Sequence, residues 1–381
     1  MIAVNQDKIV ISNKDTAADE VSAVTKRLLS LDFFRGFTMF FLIASATRLY
    51  EIMQTSGNGF VSALGWQFEH RYWHGLTFYD FIEPFFMFIV GVAIPFSVMK
   101  RLEKGEKWNK IFTHVLQRSV ILFFLGIVDY SVGAAHPVWR LWSVLTQVSV
   151  TYMLAFLLMR KPIKIQLLVS FVLILISFLF YRFWSVAGYD QPYVADHNFG
   201  SWFDMKVMGV LEGDHWVSFN VVPTAAFTIW GVVAGLILKS DRTYQQKIII
   251  LVIAGIIGII AGVALDPVIP MIKRIATASI TLLTGGACLL ALAFSYWAID
   301  IKKVHRIPMF FAIVGMNPLF IYLFAQIGGA SFLSHIAKPF AYALFFWTNE
   351  RGIEYGTAII TWFGLWYLCY WLYKHKIFIK I

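Results

Sequence analysis

Long apolar runs separated by short polar ones fill most of this 381-residue chain. A membrane-spanning helix needs about 20 mostly apolar residues. That ruler picks out ten segments: Leu31–Tyr50, Thr77–Met99, Thr113–Val132, Leu141–Met159, Ile165–Trp184, Val221–Leu238, Ile248–Leu265, Ala278–Ala298, Pro308–Gln326 and Gly356–Tyr373. A further stretch, Phe332–Trp347, is apolar but short and carries His335, Lys338 and Pro339. It reads as a re-entrant or interfacial segment, because a full span there would reverse the C-terminal end. The pattern predicts an all-α polytopic membrane protein of about ten transmembrane helices. Residues 1–26 read as a polar tail without the apolar core of a signal peptide, and residues 27–381 as a single transmembrane domain.

Counting Lys and Arg on alternate sides tests that topology. The side expected to hold both termini carries 21 and the other side 9, with Arg35 and Arg118 near helix ends completing the 32. Cytoplasmic loops are the ones enriched in basic residues. Both termini are therefore expected in the cytoplasm, and the protein in the inner membrane of a cell.

Composition agrees. The chain is 59% hydrophobic and 14% charged, against about 25% charged in globular proteins, which excludes an ordinary soluble enzyme and a disordered chain. Aromatic residues make up 17%, as interfacial belts require. The net charge of +10 would suggest nucleic acid in a soluble domain. Here it follows from loop bias and contact with anionic lipid, so the bilayer is the expected partner and nucleic acid is not. Cys288 and Cys369 lie in apolar runs without the polar company of a catalytic thiol.

The polar residues that remain at membrane level are few. Between Phe68 and Pro84 stand Glu69, His70, Arg71, His74, Asp80 and Glu83. Asp80 and Glu83 are three apart and share a face on a helix. Acids at that depth face a cavity or a partner; a pairing with Arg71, or a helix cap, is the structural alternative. His70 and His74 have metal-ligand spacing, but no Glu of the HExxH kind lies between them and Gly75 interrupts the helix, so no metal is expected. Beside two carboxylates, an imidazole suits a general base or a nucleophile. The long connections 51–76 and 185–220 add further polar chemistry, including Asp204. At the inner end, Arg35 either pairs with Asp32 or, with Arg118, holds an anion, since guanidinium groups match phosphate oxygens two at a time. No Walker or Rossmann glycine pattern is present.

Two stretches carry a family resemblance: Arg27-Leu-Leu-Ser-Leu-Asp-Phe-Phe-Arg-Gly36, and His70 through Gly91 with Trp73-His-Gly-Leu-Thr-Phe-Tyr-Asp80 inside it. Val144 to Tyr152, Lys273 to Asp300 and Gly315-Met-Asn-Pro-Leu-Phe-Ile-Tyr322 extend it in collinear order. Together they resemble the heparan-alpha-glucosaminide N-acetyltransferase family, in a bacterial branch found beside amino-sugar genes. The resemblance implies acetyl transfer from cytoplasmic acetyl-CoA, as co-substrate, to the amino group of a glucosamine unit on the outer side. It puts the catalytic histidine on His70 and its acidic companion on Asp80. Arg35, Arg118 and Asn317 would hold the coenzyme, Asn317 donating to the thioester oxygen, and Glu83, His74 and Asp204 the acceptor. The family's first-span asparagine falls near Ala46, and its Leu-Gln-Arg pattern reads Leu145-Thr146-Gln147 here. A homodimer is compatible with the sequence. The second reading is an N-acetylglucosamine or amino-sugar permease with the same fold and no transfer chemistry; a purely structural subunit would leave Asp80 and Glu83 without a purpose.

Overall fold

The computed structural model describes residues 28–379. The expected polar tail, Arg27 and the last two residues lie outside them. Fifteen α-helices follow one another among the described residues: α1 Leu29–Ser45, α2 Leu49–Gln54, α3 Gly59–Trp66, α4 Ile82–Glu103, α5 Trp108–Ala134, α6 Val144–Leu158, α7 Ile163–Phe183, α8 Phe199–Val207, α9 Val221–Lys239, α10 Tyr244–Leu265, α11 Ala278–Ser295, α12 Arg306–Gly315, α13 Pro318–Phe324, α14 Ala330–Phe345 and α15 Glu350–Lys374. The fold is all-α and polytopic. Among the described residues seven helical segments are long and apolar enough to cross a membrane: 78–103, 108–134, 163–183, 218–239, 244–265, 278–301 and 318–345.

Six of these coincide with expected spans, and a further expected span, Gly356–Tyr373, lies within the unbroken helix α15. The other three differ for local reasons. The Leu31–Tyr50 run breaks after Ser45, and Arg48 takes a left-handed φ of 63° before α2 begins. The Leu141–Met159 run is helical only from Val144, because Ser143 caps the helix by accepting from Leu145 N. The Pro308–Gln326 run is two short helices. Pro318 has no N–H to continue the ladder, and Asn317 between them leaves helical geometry. Its amide instead spends its donor on Ile377 O (3.0 Å) and its acceptor on Ile379 N (2.8 Å). The stretch expected as re-entrant, Phe332–Trp347, lies mostly in α14, which joins α13 across non-helical Ile327 and Gly328 and packs along α15.

Burial sorts the helices into centre and perimeter. The α9 window is 78% buried, whereas that of α10 is 17%. Helix α9 earns the centre through small residues, which let backbones approach where lipid supplies no hydrophobic drive between helices. A Cβ on Gly231 would fall 2.1 Å from Phe88 O, and one on Gly91 would fall 2.1 Å from Thr228 O. The same device locks α1 to α12, where Gly36 and Gly315 meet backbone to backbone. Around these contacts one large apolar cluster runs through α1, α4, α6, α9 and α11. A second, aromatic cluster of Tyr181, Phe199 and Phe219 fixes the 185–220 connection onto the bundle end.

Candidate functional site

The segment between α3 and α4 is short of regular structure, so its polar groups must find partners elsewhere. Gly75, at φ 120°, donates its N–H to Met271 O (3.0 Å), and His74 forms an isolated antiparallel bridge with Ile272. Trp73 Nε1 reaches Tyr193 O at 2.6 Å. Arg274 Nε donates to Tyr72 O (2.9 Å), and its Nη1 donates to Asp214 O. Three connections at one end of the bundle, around residues 67–77, 185–217 and 266–277, are thereby tied into one layer.

Below this layer Thr77 opens a 3₁₀ turn, Phe78–Phe81, with a capping box: Asp80 Oδ2 accepts from Thr77 N at 2.7 Å. Thr77 Oγ1 stands between Asp80 Oδ2 and Glu69 O and has one hydrogen to give. The other carboxylate oxygen, Oδ1, lies 2.6 Å from His70 Nδ1. Asp80 is fully buried, and the His70 side chain is 20% exposed. With Nδ1–H donated to Asp80, Nε2 is left as the basic nitrogen of the ring. Tyr79 and Trp216 flank the imidazole at 4.9 and 5.1 Å between ring centroids.

His70 opens on a cavity of about 860 Å³. Its wall also takes in Tyr79, Glu83, Asp129, Gln147, Trp216 and Tyr322. Glu83 forms an ion pair with Lys273, both nearly buried, rather than with Arg71. Lys273 and Arg274 both lie over the Trp216 ring, at 5.8 and 5.4 Å from its centroid. On the far wall Tyr322 OH donates to Asp129 Oδ2 (3.3 Å). From Leu42, Ile82 and Glu83 a narrow apolar fissure of about 30 Å³ continues between α1, α4, α6 and α13 to Met39, Leu145 and Pro318.

The expected site residues therefore divide. His70, Asp80 and Glu83 come together, with His70 and Glu83 on the cavity wall. His74 does not join them: it pairs with Asp266 (3.0 Å) on the exposed rim. Burial acts to raise the Asp266 carboxyl, but His74 and the Met271 N–H hold it below its ordinary value. Asp204 is fully buried behind the cavity wall. It accepts from Trp142 Nε1 (2.7 Å) and from the N–H and hydroxyl of Ser218. Burial pushes its carboxyl up to about 6 against those hydrogen bonds. Its polarity was visible in the sequence; that it points inward to clamp α8 and the start of α9 was not. Arg35, Arg118 and Asn317 also stand off the cavity wall. Arg35 contacts Asp32 (3.4 Å) and Gly315 O, Arg118 lies over the Tyr152 ring at 5.0 Å, and Asn317 holds the C-terminal segment. Among the described residues no cluster of three His, Cys, Asp or Glu side chains has metal-binding geometry.

Lys273, Trp216, Asp129 and Tyr322 are the residues that sequence reasoning passed over. Lys273 entered there as a loop charge and as the head of a matching stretch, with no role of its own. Asp129 had a usable signal, since it is an acid inside an apolar run, the same ground on which Asp80 was singled out.

Residues 22–194 match the family model described as a domain of unknown function, DUF5009. The chain is 29% identical over 153 residues to heparan-alpha-glucosaminide N-acetyltransferase of Homo sapiens, a match covering 38% of this chain and 21% of that protein. It is 33% identical over 94 residues to the Mus musculus protein of the same name, covering 23% of this chain and 14% of that one. The matched part thus spans about a fifth or less of these relatives. Over the matched parts the chain is thus similar to heparan-alpha-glucosaminide N-acetyltransferases.

Proposed function

We propose that this protein is a transmembrane acetyltransferase that moves acetyl from acetyl-CoA to the amino group of a glucosamine-type sugar. The observation that carries the reading is the His70–Asp80 pair at the wall of a cavity large enough for a sugar, joined to the activity for which the relatives are named. An ammonium has no lone pair, so the acceptor must first lose a proton. His70 Nε2 takes it, and Asp80 steadies the resulting imidazolium through Nδ1. The amine nitrogen then bonds to the acetyl carbonyl carbon, the C–S bond breaks, and the CoA sulfur leaves with the electron pair and takes up the second proton that the nitrogen loses as the amide forms. If acetyl passes through the ring first, the same Nε2 is the nucleophile. Either route uses one nitrogen, and Asp80 fixes which.

Coenzyme access from the opposite end is supported by the fissure beneath Glu83. The fissure is apolar and has about the volume of one water molecule, so it marks a route that must widen to pass a pantetheine arm. Met39 lines it, and Arg35 stands one turn earlier on the same face of α1. Arg35 and Arg118 would take phosphate at the cytoplasmic mouth. Helix α4 runs for 22 residues from the cavity at Ile82 to Glu103, about 33 Å at the helical rise. The cavity and the Lys-rich connection after Glu103 are therefore at opposite ends of the bundle.

The test is CoA release by purified protein in detergent given acetyl-CoA and glucosamine. Release at least tenfold above the His70→Ala variant is expected. No difference between them, together with His70-independent uptake of labelled N-acetylglucosamine into proteoliposomes lacking acetyl-CoA, would establish a permease instead.

A further inference from the structure

The wall formed by α5, α6 and α13 holds polar groups that the transfer chemistry above does not use. Gln147 is 4% exposed, and its Nε2 donates to Trp142 O at 3.4 Å. Its Oε1 lies buried with no hydrogen-bond partner among the described residues, in a residue that lines the cavity. Buried acceptors are seldom left unpaired, and each exception calls for an explanation. Asp129 stands on the same wall. A Cβ on Gly126, one turn before Asp129, would fall 3.2 Å from Ser143 Cβ, and Ser143 is one turn before Gln147 on α6. The two acceptors thus sit on facing turns of neighbouring helices. Asp129 accepts from Tyr322 and is also hydrogen-bonded by the Ser143 side chain, and it forms no ion pair among the described residues. The guanidinium of Arg140, also on the wall, is instead over the Trp142 ring.

We infer that Asp129 and Gln147 form a seat for the hydroxyl groups of a polyhydroxylated ligand, turning its amine toward His70. A carboxylate with two partners still has lone pairs to accept from neighbouring hydroxyls, and the unpaired Gln147 carbonyl accepts from another. A site built to bond hydroxyls rejects analogues that lack them, because its own acceptors are then left unpaired. This makes the pair the specificity determinant for a sugar over a simple amine. It rests on reading the cavity as the amino-sugar site.

Direct binding to the purified protein in detergent tests this, with glucosamine and cyclohexylamine as probes. The wild type is expected to bind glucosamine at least about tenfold more tightly. Asp129→Asn and Gln147→Leu should each weaken glucosamine at least about tenfold while leaving cyclohexylamine within threefold. Gln147→Glu, which keeps an acceptor, should stay within threefold of wild type for glucosamine. Equal glucosamine affinity in wild type and both weakening variants, or equal loss of both ligands, overturns the seat. The transfer reading fails separately: selective binding through these residues without CoA release would overturn acetylation and leave the seat standing. Cyclohexylamine acetylation without glucosamine selectivity would do the reverse.

Discussion

Lys273, on the connection before α11, forms an ion pair with Glu83 in the first turn of α4, 190 residues away in the chain. Both side chains are nearly withdrawn from solvent, at 6% and 13% exposure. The pair fastens the 266–277 connection to the helix that begins beside the His70–Asp80 pair, and Lys273 also lies over the Trp216 ring. Removing one partner of such a pair strands the other charge, at about 3–5 kcal/mol. Lys273→Met should therefore lower the melting temperature of the purified protein in detergent. Adding Glu83→Gln to it should recover part of the loss, and a double variant as unstable as the sum of the singles would show that the two residues are not coupled.

Asp80→Asn keeps the size of the side chain but removes the charge that steadies His70. CoA release is expected to fall about 10²–10⁴-fold in kcat, with KM for the acceptor changed less than threefold. A variant that raised KM and left kcat intact would place Asp80 in binding rather than in positioning the ring.

Arg118→Ala should act on the coenzyme alone. If the guanidinium meets phosphate, KM for acetyl-CoA rises about 5- to 50-fold, as for loss of a charge-assisted hydrogen bond, while glucosamine affinity is unchanged. Unchanged KM would leave Arg118 with its stacking on Tyr152 only.

The Asp204 carboxyl, pushed up to about 6 by burial, predicts a pH dependence of stability. Unfolded, an Asp titrates near 3.9, so the folded state holds the proton more tightly. The associated stabilisation is complete below about pH 4 and is lost as pH rises through 6, about 3 kcal/mol in all. Comparing melting curves of wild type and Asp204→Asn between pH 4 and 7 isolates this group. The difference between the two proteins should grow toward acid, and a difference constant with pH would mean that Asp204 keeps its ordinary acidity.

Gly231→Val places branched carbon where a Cβ already falls 2.1 Å from Phe88 O. Backbone cannot yield there as a flexible side chain would, so α4 and α9 must separate. Loss of the monodisperse peak in size-exclusion chromatography is expected, and a normal elution profile would show that the helices can reseat.

Much of this protein follows from local sequence. Apolar length alone fixes the membrane character and six long spans, because a helix crossing lipid must satisfy its backbone internally and stay apolar for about 20 residues. The acidic positions at the head of α4 were legible for a related reason: charge within an apolar run is costly unless it serves something. What the sequence could not supply is direction and distance. It showed Asp204 and His74 as polar loop residues, but only the tertiary structure turned one inward onto Trp142 and the other outward onto Asp266. It showed Lys273 and Glu83 as isolated charges far apart, and only the packing of two connections made them a pair. The split at Asn317 likewise depends on the C-terminal segment returning to claim its amide. Hydropathy is a property of each segment, whereas a site is made of groups from many segments, and those meet only when the bundle closes.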